Sequence, residues 1–239
     1  MRKISCQQCT VRELTFLAGL PANDLGEIQS CGVTGLYKPR QVVFNEGTPA
    51  SGLYVLCHGA VKLYQSDRFG RDYIVDIAAP GAILGELGLD DLDVYSASAE
   101  ALTESQLSFL PRERLVLFIE RHPVTGVRLI AALSKALAAT RRKAGELALK
   151  RADERFADLL LHLAADARPA EGASNGAIHI RLTYSRRDLA EMIGITAETA
   201  IRILGKLKRN GILTTNEGEI VIVDLERLTR LAHHGNLAA

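Results

Sequence analysis

Between Tyr37 and Leu110 the chain alternates short apolar stretches with turn residues. The stretches Gln41 to Phe44, Leu53 to Cys57, Ala60 to Tyr64, Tyr73 to Ile77, Ala97 to Ala101 and Gln106 to Leu110 are punctuated by Gly47, Gly59, Gly70, Pro80-Gly81 and Gly85. Strands that recur every ~8–12 residues between such breakers predict a sandwich, roll or barrel. After Pro111 the period becomes helical, and beyond Pro123 a stretch without proline runs to about Ala167. Within it Ile130, Leu133, Leu137, Thr140, Ala144 and Leu147 alternate spacings of three and four, a heptad seam. Charged runs such as Arg141-Arg142-Lys143 flank this narrow stripe. A helix that covers its own roll needs a wider apolar face, so the pattern predicts lengthwise packing on a second copy.

The remainder reads as a small helical unit with a hairpin. A helix from Asp153 to about Ala167 buries Phe156, Leu159, Leu160 and Leu163; a loop from Arg168 to Gly176 follows, then a strand from Ile178 to Leu182. Ser185 with Asp188 has the pattern of a capping box, Gly194 can end the helix that begins there, and Thr196 can cap the next one. The turn Gly194-Ile195-Thr196 has the length of a helix-turn-helix, with Leu189, Ala190, Ile193, Ile195, Ala200, Ile203, Leu204 and Leu207 as its interior. Gly211 to Val223 predicts a hairpin turning at Asn216 to Gly218, a wing, and Asp224 caps a last short helix.

Composition narrows the class. The 239 residues, 47% hydrophobic and 24% charged, suit one large globular domain or two ordinary ones. No apolar run approaches the roughly 18 residues of a membrane span, and nothing apolar follows the charged start Met1-Arg2-Lys3 as in a signal peptide. Four cysteines are too few for a disulfide scaffold, so a cytoplasmic protein that does not cross a membrane is expected. The net charge of +1 conceals an asymmetry: residues 1–122 carry 11 Lys and Arg against 15 Asp and Glu, a net of −4, whereas 123–239 carry 18 against 13, a net of +5. A basic C-terminal half suits an anionic partner, since cations near phosphate gain by displacing counterions.

The second helix of the pair carries the candidate chemistry. Glu198 and Arg202 are four apart, on one face of its first turns, the part of a recognition helix that enters a major groove. Arg can fork onto guanine O6 and N7, and Glu can accept from cytosine N4, so the pair suits double-stranded DNA with G·C positions. Arg186, Arg187, Thr196, Thr199, Lys206, Lys208 and Arg209 are candidates for the backbone phosphates. The competing interpretation is a surface ion pair at i,i+4. No Ser/His/Asp arrangement, phosphate-cradling glycine loop or metal-hydrolase motif occurs, so an enzyme is not expected.

The succession of elements, with Thr196-Ala197-Glu198-Thr199-Ala200-Ile201-Arg202-Ile203-Leu204 and Gly81-Ala82-Ile83-Leu84-Gly85-Glu86-Leu87, resembles the Crp/Fnr family of bacterial transcription regulators over nearly the whole chain. The resemblance implies an α+β chain: an N-terminal β-roll of the cyclic-nucleotide-binding, jelly-roll type, a long dimerisation helix and a C-terminal winged helix-turn-helix. The corresponding divisions are a cysteine-bearing segment and helix at 1–35, the roll at 36–115, the dimerisation region at 116–151 and the DNA-binding domain at 152–239. It further implies a homodimer on a palindromic operator in contact with RNA polymerase. Glu198 and Arg202 would read the core of each half-site, and Ala197 and Ile201 would sit where members vary their outer base preference.

Two sensing modes follow from the same resemblance. Cyclic AMP binding uses the Gly-Glu-Leu segment and an Arg-Ser pair about ten residues on. Here Gly85-Glu86-Leu87 is followed by Val94-Tyr95-Ser96-Ala97, without the arginine, although Thr140 matches the threonine that touches adenine. The oxygen-sensing branch holds a [4Fe–4S] cluster on four cysteines. Cys6-Gln7-Gln8-Cys9 is similar to its opening pair, but the third cysteine of that branch falls at Thr15 and the fourth near Ser108. A rearranged set of Cys6, Cys9, Cys31 and Cys57 has the right count for a cluster. The alternatives are buried structural thiols, zinc, haem, a reversible disulfide, a small ligand in the roll, or a ligand-binding module acting through protein partners without DNA.

Overall fold

A computed structural model describes residues 9, 11–89, 93–166, 178–181, 185–216 and 219–234. The chain is α+β and divides into two compact units, Met1–Thr140 and Arg141–Ala239.

The first unit is a roll of two antiparallel four-stranded sheets. One has the order β1 (Val33–Tyr37), β8 (Ser105–Pro111), β3 (Gly52–His58) and β6 (Ile83–Leu84); the other has β2 (Val42–Phe44), β7 (Ser98–Ala101), β4 (Val61–Ser66) and β5 (Asp72–Ala78). Alternation along β3 sorts its side chains between two cores. Leu56 joins Phe44, Val61, Leu84, Ala99 and Leu107 between the sheets. Leu53 and Val55 face the other way, onto Phe16, Leu17, Ile28 of α1 (Ala22–Cys31), and Leu115 and Phe118 of α2 (Arg112–Arg121).

Two elements were not evident from the pattern. β1 pairs along β8 from Val33↔Phe109 to Tyr37↔Ser105, yet none of its residues is fully buried, so it has no apolar signature. β6 is two residues long, within the Gly-Glu-Leu motif region. The helix expected after Pro123 is α3, Pro123–Leu149, 27 residues without interruption. Gly126 belongs where α3 passes α2: a Cβ there would stand 2.8 Å from Ile119 Cγ2.

The second unit packs α4 (Ala152–Asp166), α5 (Arg186–Met192), α6 (Ala197–Arg209) and α7 (Leu225–His234) with a three-stranded antiparallel sheet. Its strands, β9 (Ile178–Arg181), β10 (Leu213–Asn216) and β11 (Glu219–Ile222), run in the order β10-β11-β9. Phe156, Leu160, Leu189, Leu207, Ile212 and Leu228 are its fully buried anchors. Arg155 ties two helix ends together: its guanidinium donates to the carbonyls of Leu147 at 3.4 Å and Lys150 at 2.7 Å, at the end of α3, and of Ile193 at 3.0 Å, at the end of α5. Carbonyls at helix ends lack an intrahelical partner, and here one side chain supplies it. The expected loop at 168–176, the last residue of the expected strand and the wing tip at 217–218 lie outside the described residues. Among the described residues no helix is long and apolar enough to cross a membrane.

Candidate nucleic-acid interface and sensor cavities

The helix-turn-helix is fixed at both starts by its own sequence. Ser185 Oγ accepts from the Asp188 N–H at 3.1 Å while Asp188 Oδ2 accepts from the Ser185 N–H at 2.8 Å, a complete capping box. Thr196 Oγ1 accepts from the Thr199 N–H at 3.3 Å. Between them Gly194 takes φ +65°, a left-handed conformation that is cheap only for glycine. The turn closes with Ile195 N–H donating to the Ala190 carbonyl at 3.1 Å.

α6 has two unlike faces. Ala200, Ile203, Leu204 and Leu207 are buried, whereas Glu198, Ile201 and Arg202 are exposed and Ala197 is partly so. The base-reading candidates therefore share one open surface at the start of the helix. Glu198 is pre-set as an acceptor: its own backbone N–H and the Thr196 hydroxyl hold its carboxyl below the usual Glu range. Lys206, Lys208 and Arg209 occupy the last turn, where the helix macrodipole favours cations.

The phosphate candidates do not all stand alike. Arg186 is exposed, as are Thr196, Lys206, Lys208 and Arg209, and Thr199 is half-buried. Arg187 instead places its Nε 2.6 Å from Glu191 Oε1, a carboxylate whose side chain is only 9% exposed. Two residues that sequence reasoning missed, Arg151 and Asp153, face α6 across a concavity of about 430 Å3. Some fifty positions separate them from Arg202, and no periodic pattern links residues so far apart.

In the roll, the position expected to carry an arginine for a cyclic phosphate is filled by Tyr95. It is 3% exposed, stacks on Phe44 at 4.3 Å between ring centroids, and donates from its hydroxyl to the Gly52 carbonyl at 3.0 Å. Tyr54 packs in the same aromatic group, and burial, with Tyr95 and Tyr37 beside it, pushes its phenol up to about 12. Glu86 is engaged as well, accepting from Ser96 Oγ at 2.5 Å. Thr140 donates to the Ala136 carbonyl of its own helix at 3.1 Å.

The cysteines converge in part. Cys9 and Cys57 line a small cavity of about 20 Å3 together with Thr15 and Ser108, the two positions at which the resemblance would place further cysteines. The Thr15 hydroxyl is committed locally, donating to the Arg12 carbonyl at 2.7 Å and accepting from the Leu17 N–H at 3.1 Å. Cys31 packs against the adjoining apolar cluster of Ile28, Val55 and Leu110. Cys6 lies outside the described residues. Among the described residues no three His, Cys, Asp or Glu side chains gather as a metal site.

Comparison with known proteins agrees with this architecture. Residues 35–122 match the cyclic nucleotide-binding domain family and residues 154–231 the Crp-like helix-turn-helix domain family. The nitrogen fixation regulation protein FixK of Bradyrhizobium diazoefficiens is 31% identical over 228 residues, covering 95% of this chain and 93% of FixK. The transcriptional activator protein anr of Pseudomonas aeruginosa is 28% identical over 228 residues, covering 95% and 92%. The solved structure of FixK2 from Bradyrhizobium japonicum is similar with a TM-score of 0.68 at 27% identity, over 87% of this chain and 99% of that one. A roll followed by a winged helix-turn-helix, matched by both domain families and by a relative above 30% identity along nearly the whole chain, makes this protein a member of the Crp/Fnr family: a DNA-binding transcription regulator and not an enzyme.

Proposed function

We propose that the chain acts as a homodimer that reads a palindromic operator through α6 and regulates transcription in contact with RNA polymerase. The observation that carries this is the exposed pair Glu198 and Arg202 at the capped start of a helix whose opposite face is fully buried. Glu198 accepts from cytosine and Arg202 donates to guanine, with Ala197 and Ile201 beside them as outer-base contacts. Arg186, Thr196, Thr199, Lys206, Lys208 and Arg209 hold phosphates and set the register; Arg187 joins them while anchored on Glu191. Dimerisation is supported by α3, where Ile130, Leu133 and Leu137 are 65%, 45% and 51% exposed on one stripe, continued by Thr140, Ala144 and Leu147. An apolar stripe of this length is covered when a second copy packs along it. In this reading 1–35 and 36–115 form the input side, 116–151 the dimer region and 152–239 the output.

For the input, thiol chemistry on the N-terminal side of the roll is better supported than capture of a cyclic nucleotide. A buried phosphate opposite Tyr95 would have no guanidinium to pair with, a large penalty. A [4Fe–4S] cluster on Cys6, Cys9, Cys31 and Cys57 depends on Cys6, which lies outside the described residues. The cavity that Cys9 and Cys57 share has room for about one water, and the neighbouring Thr15 hydroxyl is already committed. In this reading the responsive chemistry is that of the thiols themselves, in a cytoplasmic, redox-controlled regulator.

The decisive test is selection of bound duplexes from a random pool, followed by affinity measurements on the selected operator. Replacing Glu198 and Arg202 by alanine together is expected to lower preference for the operator over a scrambled duplex by roughly ten- to hundredfold per base position. Folding and dimerisation should be unchanged, since both side chains are exposed. Full preference in the double variant would overturn the assignment.

A further inference from the structure

The winged unit holds a concavity of about 430 Å3 that the helix-turn-helix alone does not form. One wall is Thr199, Arg202, Lys206 and Arg209 of α6; the other is Arg151, Ala152 and Asp153, where α4 begins. Positions 202, 206 and 209 follow one another at four and three residues, so they stack along one flank of α6. Four cations thus converge on one space against a single carboxylate, Asp153. Among the described residues no carboxylate pairs with Arg202, Lys206 or Arg209, while Arg151 holds its Nε 3.5 Å from Asp153 Oδ1 with 71% of its side chain exposed. The Arg151 N–H donates to Glu154 Oε2 at 2.9 Å, which fixes the backbone at this corner.

Like charges gathered around a space of this size favour an anion within it. The space adjoins the flank of the helix that enters the groove, and the walls of a major groove are its phosphates. We infer that the concavity seats a backbone phosphate beside the half-site, and that Arg151, outside the helix-turn-helix, is a phosphate contact of the operator complex. The inference rests on the operator-reading role of α6 proposed above. It adds a consequence: Arg151 lies between Leu149, the end of α3, and Ala152, the start of α4, so the same phosphate anchors the junction of dimer helix and DNA-binding unit.

The test uses the full chain and the variants Arg151→Ala and Arg151→Lys, titrated by fluorescence anisotropy onto the selected operator and onto a scrambled duplex over a series of salt concentrations. Arg151→Ala is expected to weaken both duplexes equally, by about five- to tenfold at low salt, and to reduce the slope of log affinity against log salt by about two, one for each protomer of the dimer. The preference for the operator stays unchanged, and Arg151→Lys recovers most of the slope. Coincident affinities and slopes for wild type and Arg151→Ala overturn the seat, as does a loss of operator preference at constant slope. Wild-type protein that shows no preference for any duplex overturns the proposed function instead, a separate failure. Inorganic tripolyphosphate distinguishes the source of the anion: if it raises the melting temperature of wild type but not of Arg151→Ala while their DNA slopes coincide, the concavity holds a soluble anion and not DNA.

Discussion

Glu198 and Arg202 sit one turn apart on α6, and the free protein prepares Glu198 more than sequence spacing suggests. The carboxyl is held below its ordinary value of 4.5 by its own backbone N–H first and by the Thr196 hydroxyl second. For a depressed carboxyl the stabilising effect is present above the unfolded value and is lost as pH falls through the lower, folded one. The ionised, acceptor-only form that suits a cytosine amino group should thus persist down through the usual Glu range. An NMR titration of the Glu198 carboxyl carbon is expected to give a midpoint below 4.5, moving upward in Thr196→Ala. The same variant removes the cap on the Thr199 N–H and should cost about 1 kcal/mol of stability in urea unfolding. A midpoint at the ordinary value, unmoved by that change, would show that the helix start does not prepare the acceptor.

Among the elements, α3 makes two opposite demands on neighbouring positions. Leu129 is 5% exposed and belongs to the core of the roll, while Ile130 beside it is 65% exposed on the seam. Leu129→Ala should therefore lower stability by about 2–5 kcal/mol. Leu133→Glu should leave the melting temperature at low protein concentration nearly unchanged and shift sedimentation from dimer to monomer. A dimer that survives Leu133→Glu would place the seam elsewhere. This division explains what the sequence made legible. The seam could be read because its three-and-four spacing is periodic, as could the central strands, which alternate where one face is buried and run apolar where, as in β3, both faces meet a core. β1 could not, because its residues are nowhere fully buried, and β6 is too short to have a period. The recognition helix was legible down to its caps, since capping depends on residues three apart. The position of Arg151 beside α6 was not, because only folding brings it there, and neither was the ion pair that Arg187 makes with Glu191.

At the scale of the whole molecule the proposed regulator needs an input, and two regions of the roll answer differently. The region expected to hold a cyclic nucleotide is occupied by an aromatic group: Tyr95 stacks on Phe44 at 4.3 Å, and Tyr54 lies against Phe44 at 5.2 Å. Cyclic AMP is therefore expected to leave both the melting temperature and the operator affinity of the full chain unchanged, and Tyr95→Ala to destabilise the roll by about 3–5 kcal/mol rather than open a functional site. The thiol cavity is different in kind, because Cys9 and Cys57 line it beside Ile28, Leu17 and Leu110, residues of the core that also receives α2 and α3. Introducing a polar or cross-linked sulfur into a close-packed wall of that core forces its neighbours to shift, so oxidation at this point can reach α3 through packing alone. Protein purified without air is expected to contain iron and sulfide well below four per chain and to bind the operator with an affinity that changes on exposure to peroxide. Cys9→Ser and Cys57→Ser should each abolish that change while leaving the reduced-state affinity intact. Stoichiometric iron and sulfide would return the input to a metal cluster, and peroxide sensitivity that survives both substitutions would move it away from this cavity.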